Sequence, residues 1–173
     1  MRTMVDAAYR KAKLEPFEQQ NGLQGFVDAL AGIPLEFSPG TAYNYSVSTD
    51  VLGYLVEKIS GVPFANFLQQ RILGPLGMVD TAFHVPEDKW QRFAQCYLQG
   101  ADGKLGVLPG RSFREPTSCP SGGGGLVGTA ADYLRFCECL RRGGELDGVR
   151  LLGPKTLKLM TSNHLPGGRS EEH

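Results

Sequence analysis

The 173-residue chain carries no excess of either charge, with 18 Lys and Arg against 18 Asp and Glu. Without a net field there is nothing to steer it toward nucleic acid or an anionic membrane, so neither is expected as a partner. Long apolar runs are also missing. The best of them, Val51 to Val56, stops far short of the roughly 20 residues that a helix needs to cross a bilayer, and no span is expected. The opening MRTMVDAAYR has charge but neither a continuous apolar stretch nor a small-residue cleavage site, so the chain reads as soluble, not exported and cytoplasmic. Cysteine is scarce, and Cys96, Cys119, Cys137 and Cys139 include no Cys-x-x-Cys pair. Cys137 and Cys139 sit two apart on an expected helix and point to different faces, which favours free, reduced thiols in a cytosolic setting. His84 and His164 lie in separate loops and His173 is terminal, none at the close spacing of a zinc site, so no metal and no cofactor is expected. No internal repeat or heptad is visible, which excludes solenoids and coiled coils.

With 41% hydrophobic residues the chain can bury a core, and its length fits one domain. Leu23, Phe26, Val27 and Leu30 recur at helical spacing behind Asn21, a good N-cap residue, and Gly32 with Pro34 closes that segment. Val51, Leu52, Leu55, Val56 and Ile59 form a stronger stripe, beginning near Ser46 to Thr49 and ending at Ser60-Gly61. Pro63 to Ile72 reads as a third helix with Phe64, Phe67, Leu68 and Ile72 on one side, stopped by Gly74-Pro75. Arg92 to Leu108 reads as two short strands around a glycine-containing turn. Pro109 to Gly128, with two further prolines and a four-glycine run, reads as a long loop, a class that often carries function. Thr129 should cap a helix through Arg142 with Tyr133, Leu134, Phe136, Cys137 and Leu140 inward and Asp132 in the first turn, where the helix dipole favours an anion. A short hairpin around Asp147-Gly148 and a helix over Pro154 to Ser162 follow, and the polar tail 166–173 should be frayed.

The chemistry-bearing motifs are largely absent. An alcohol is a poor nucleophile until a neighbouring base takes its proton, and a Ser-x-x-Lys pair one helical turn apart would supply that base. No lysine here has a serine three residues before it. A Gly-x-Ser-x-Gly elbow fails as well, because Ser121 follows Cys119-Pro120; Ser121 remains only a weak candidate. Gly123 to Gly128 fits Gly-x-Gly-x-x-Gly and precedes a helix, but Ser112 to Ser121 holds Pro116, Pro120 and no apolar run where a dinucleotide fold needs a buried strand. A flexible loop is the expectation there.

One segment carries a specific resemblance. Phe37-Ser-Pro-Gly-Thr-Ala-Tyr-Asn-Tyr-Ser-Val-Ser-Thr-Asp-Val-Leu-Gly runs from a Pro-Gly turn into the strongest helix. It is followed by Glu57-Lys-Ile-Ser-Gly, then Gly74-Pro-Leu-Gly-Met-Val-Asp-Thr-Ala-Phe, then Gly123-Gly-Gly-Leu-Val-Gly-Thr-Ala-Ala-Asp-Tyr-Leu-Arg-Phe. In order and spacing, from about Val5 to about Pro166, this resembles the β-lactamase-related serine hydrolases, the group of class C β-lactamases and penicillin-binding-protein-like esterases.

The resemblance implies an α/β (α+β) serine β-lactamase/transpeptidase-like fold, of which this chain would be mainly the helix-rich lobe with a small β-hairpin, one partial domain over 1–173. It implies that Tyr45 is the tyrosine that completes the catalytic centre just before a helix. The parent would be a serine hydrolase cleaving a small-molecule carboxylic ester or lactam amide through an acyl-enzyme, without a cofactor. A lysine beside the tyrosine would lower its pKa from about 10 and let it handle the serine's proton. Many relatives carry asparagine two positions after the tyrosine; Val47 stands there, which points to an esterase-like member. The family's Ser-x-x-Lys is expected upstream of Met1 and its third motif beyond His173, leaving an apolar face exposed and open to self-association. Two alternatives accompany this reading: Tyr45 as a loop aromatic packed on the helix below it, and the chain as a non-catalytic binding module derived from the fold.

Overall fold

The computed structural model describes residues 3–14, 21–108 and 113–165. Six α-helices and four short strands occur among them: α1 Met4–Ala12, α2 Gly22–Ala31, α3 Ser48–Ser60, α4 Phe64–Leu68, β1 Tyr97–Gln99, β2 Leu105–Val107, α5 Ala130–Arg141, β3 Glu145–Leu146, β4 Val149–Arg150 and α6 Pro154–Met160. Both pairs of strands, β1 with β2 and β3 with β4, are isolated antiparallel hairpins, so the described residues contain no central sheet.

The caps explain most boundaries. Thr3 and Asp6 close a reciprocal capping box at the start of α1, a helix that the sequence reading did not anticipate although Thr-x-x-Asp announces it. Thr129 caps α5 as expected, its hydroxyl accepting from the Asp132 amide at 3.2 Å. Asn21 makes no side-chain cap, contrary to expectation; the turn into α2 is made instead by Gly22 at φ 68°. The third expected helix changes pitch midway, with α4 giving way to a π-turn over Gln69–Leu73 before stopping at Gly74. Asp147 and Gly148, both at positive φ, turn β3 into β4 as their residue types suggest. The first hairpin, expected over Arg92 to Leu108, is shorter: Arg92 closes a 3-10 turn over Glu87–Arg92, and pairing is confined to β1 and β2. The expected frayed tail, 166–173, lies outside the described residues.

Apolar burial concentrates in two clusters. Leu14, Leu23, Phe26, Phe64, Phe83 and Cys119 form the first, joining α2, α4 and the loop before the glycine run. Leu73, Leu76, Met78, Cys139 and Leu146 form the second, between the π-turn, α5 and β3. Leu68 packs against both. The inward face of α5 differs from expectation: Tyr133, Leu134 and Cys137 are exposed, and Asp132 and Cys139 are buried. Polar anchors set this rotation. The Asp132 carboxylate accepts from the Asp80 amide and the Thr81 hydroxyl, both at 2.8 Å, while Arg135 donates to the Leu76 carbonyl and pairs with Asp147 at 2.7 Å. Much of the apolar stripe on α3 is also uncovered, with Leu52, Leu55 and Ile59 exposed. No helix among the described residues is long and apolar enough to cross a membrane.

Candidate active-site cleft

The segment between α2 and α3 is shaped by short polar contacts. Thr41 folds back on the Ser38 carbonyl through its amide, at 3.2 Å, and its hydroxyl, at 2.7 Å. Asn44 donates to the Glu36 carboxylate at 2.8 Å. The chain then enters α3 at Val47, whose carbonyl accepts from the amides of Asp50 and Val51 at 3.0 and 3.3 Å. Tyr45 therefore sits three residues before α3 begins at Ser48, on a backbone fixed from both sides.

Tyr45 is 88% exposed, which overturns the reading of it as an aromatic packed on the helix below. It lines an open cleft of about 650 Å³ whose walls come from α1, the segment 36–47, the first turn of α3 and the loop 121–123. Arg10 of α1 and Ser46 line the same cleft. Among the described residues the phenol has no hydrogen-bond partner and is free to meet a ligand.

Ser121 lies in this cleft too, but as part of its wall. It is 4% exposed, and its hydroxyl donates to the carboxylate of Asp50, itself 4% exposed. The Gly123 amide donates to the same carboxylate oxygen at 3.3 Å and to the Ser121 oxygen at 3.1 Å. The loop approaches α3 so closely that a Cβ at Gly122 would collide with the Thr49 carbonyl oxygen, and one at Gly123 would lie 2.8 Å from the Thr49 hydroxyl. Farther along, Val127 exchanges both backbone hydrogen bonds with Ala82. The glycine run is thus anchored at both ends rather than a flexible loop. With its hydroxyl closed off from solvent, Ser121 is unsuited to attack a substrate.

Among the described residues, neither histidine joins the cleft. His84 lines a separate hollow of about 100 Å³ with Asp80, Lys89 and Arg92, where the two cations hold the Asp80 carboxyl down at about 2 through hydrogen bonds and charge. The His164 ring contacts the Leu159 carbonyl at 2.6 Å. Among the thiols, Cys96 and Cys137 are exposed and Cys119 and Cys139 buried, with burial raising the Cys139 thiol.

The sequence reading missed Asp50 as a member of this site. An acid in the first turn of the strongest helix was its available signal, yet the partner 71 residues away could not be read from spacing.

The family profile described as Beta-lactamase matches residues 3–172. Protein Rv1367c of Mycobacterium tuberculosis is 39% identical over 162 residues, covering 93% of this chain and 39% of that protein. Esterase EstB of Burkholderia gladioli is 38% identical over 130 residues, 65% of this chain and 32% of the esterase. Among solved structures, EstCE1, a hydrolase with promiscuous acyltransferase activity, superposes with a TM-score of 0.75 at 26% identity over 88% of this chain and 44% of its own. The chain thus spans less than half the length of these relatives. The profile match along nearly every residue, and a serine β-lactamase/transpeptidase fold represented by its helices and a small hairpin, establish that this chain belongs to the Beta-lactamase family.

Proposed function

We propose that the chain forms one wall of the active site of a serine hydrolase that cleaves carboxylic esters through an acyl-enzyme, with Tyr45 handling protons and the nucleophile supplied by sequence outside these 173 residues. The observation that carries this reading is the exposed Tyr45 phenol, presented into a cleft of about 650 Å³ at the entrance to α3. No Ser-x-x-Lys occurs in the chain, and Ser121, one of the two serines that line the cleft, is occupied by Asp50. The exposed face of α3, with Ile59 at 78% and Leu52 at 57%, is the kind of surface that a complete domain buries, which supports a partial domain. Val47 in place of an amide, and the esterase and hydrolase names carried by EstB and EstCE1, favour an ester over a lactam substrate.

The reaction divides into two steps. A serine oxygen forms a bond to the ester carbonyl while its proton passes to the lysine and tyrosine pair, and the leaving alcohol takes a proton as the carbon–oxygen bond breaks. Water then attacks the acyl-enzyme, restores the serine and releases the acid. Tyr45 fits the shuttle because a phenol both donates and accepts.

Intact mass after fluorophosphonate treatment tests this, applied to the 173-residue chain and to the longest open reading frame containing it. The expected result is no adduct on the chain and a single adduct on the longer protein, with ester turnover cut by roughly 100-fold or more in its Tyr45→Phe variant. An adduct on Ser46 or Ser121 of the short chain would overturn the assignment. No adduct on either protein would leave the non-catalytic binding module as the reading.

A further inference from the structure

We infer that Asp50 and Ser121 are positioning residues, a clasp that locks the glycine loop to the first turn of α3 and thereby fixes where Tyr45 stands in the cleft; this rests on the assignment of Tyr45 above. Both side chains are 4% exposed and both line the cleft that holds Tyr45, from opposite chain segments. Three hydrogen bonds close the clasp: Ser121 hydroxyl to Asp50, Gly123 amide to Asp50 at 3.3 Å and Gly123 amide to the Ser121 oxygen at 3.1 Å.

The link to Tyr45 runs through the backbone. The Asp50 amide holds the Val47 carbonyl at 3.0 Å, and Tyr45 lies two residues before Val47, so the orientation of the first turn sets the path of the short segment that carries the phenol into the helix. The loop side is equally constrained, because Gly122 touches the Thr49 backbone with no room for a side chain. No cation pairs with Asp50 among the described residues. Its charge is held instead by the two donors and by its place in the first turn of a 13-residue helix, where the dipole favours an anion. Ser121 serves here as the donor that a buried carboxylate requires, which explains a serine held in the cleft wall.

A clasp that acted only on stability would behave differently from one that acts through Tyr45, and a double-mutant cycle separates the two. In the longer, fluorophosphonate-reactive protein, Ser121→Ala should lower kcat on a p-nitrophenyl ester by about 10- to 100-fold with KM little changed, the loss expected when a reacting group shifts by a fraction of an ångström to an ångström. In a Tyr45→Phe background the same substitution should cost little more. Should Ser121→Ala fail to fold, Ser121→Cys, close in shape and only a weak donor, should give a smaller loss with the same dependence on Tyr45. Losses that multiply in the double variant, or a Ser121→Ala enzyme with full turnover beside a crippled Tyr45→Phe, would overturn the clasp alone. Full turnover in Tyr45→Phe by itself would overturn the functional assignment instead.

Discussion

Replacing Gly122 with alanine should be among the costliest single-methyl additions in the chain. The new Cβ would collide with the Thr49 carbonyl oxygen, a backbone atom inside α3 that cannot swing aside. Forcing a methyl into such a contact costs about 1–3 kcal/mol. The relief available is a retreat of the loop, which opens the Asp50 clasp and leaves a buried carboxylate short of donors at about 1–3 kcal/mol more. A total of about 2–6 kcal/mol follows, a large share of the stability of a small domain. Gly123→Ala should cost less, because its Cβ would meet the Thr49 hydroxyl at 2.8 Å, and that side chain can rotate. Gly106→Ala, with open space around its Cβ on exposed β2, should stay within about 0.5 kcal/mol of wild type. Urea unfolding followed by the fluorescence of Trp90, whose indole donates to the Val85 carbonyl at 2.9 Å, reads all three. A Gly122→Ala midpoint indistinguishable from that of Gly106→Ala would refute the close packing of the loop on α3.

Phe26, fully buried in the first cluster, should cost about 3–5 kcal/mol as Phe26→Ala in the same unfolding assay. Asp80 carries a folded pKa lowered to about 2 by Arg92 and Lys89, below the unfolded value of about 3.9, so its contribution is present above about pH 4 and lost as the pH falls toward 2. Melting curves of wild type and Asp80→Asn should therefore converge across that window, and added salt should shrink their difference, because the pair is solvent-accessible. The exposed stripe of Leu52, Leu55 and Ile59 should make the isolated chain self-associate with rising concentration in sedimentation, and Ile59→Lys should reduce that association.

Helices that carry their own punctuation were readable from the chain itself. Thr129 and Gly143-Gly144 bracket α5, Gly61 at φ 68° ends α3, and Pro154 opens α6 at its first position. What the sequence hid was which side of a helix faces inward. On α5 an apolar count favours Tyr133 and Leu134, yet Asp132 and Arg135 reach partners near residues 76–81 and turn those aromatic and aliphatic groups outward. The change of pitch after Leu68 was equally hidden, since nothing in Gln69–Leu73 distinguishes a π-turn from continued α-helix. At the site, the role proposed for Tyr45 comes from a segment with a recognisable local pattern. Asp50, Ser121 and Gly122 were not legible in that way, because their meaning arises only when two distant segments meet.

The first apolar cluster also sets a timetable for synthesis. Leu14 and Cys119 belong to one packed group, so it cannot close until the ribosome has released the chain beyond residue 119. Until then Leu23, Phe26 and Phe64 have only part of their lining, alongside an α3 stripe that is bare among the described residues. A nascent chain of this kind exposes apolar surface through much of its elongation, the condition under which chains aggregate, and slowing translation just before residue 119 should prolong that exposure rather than help it fold.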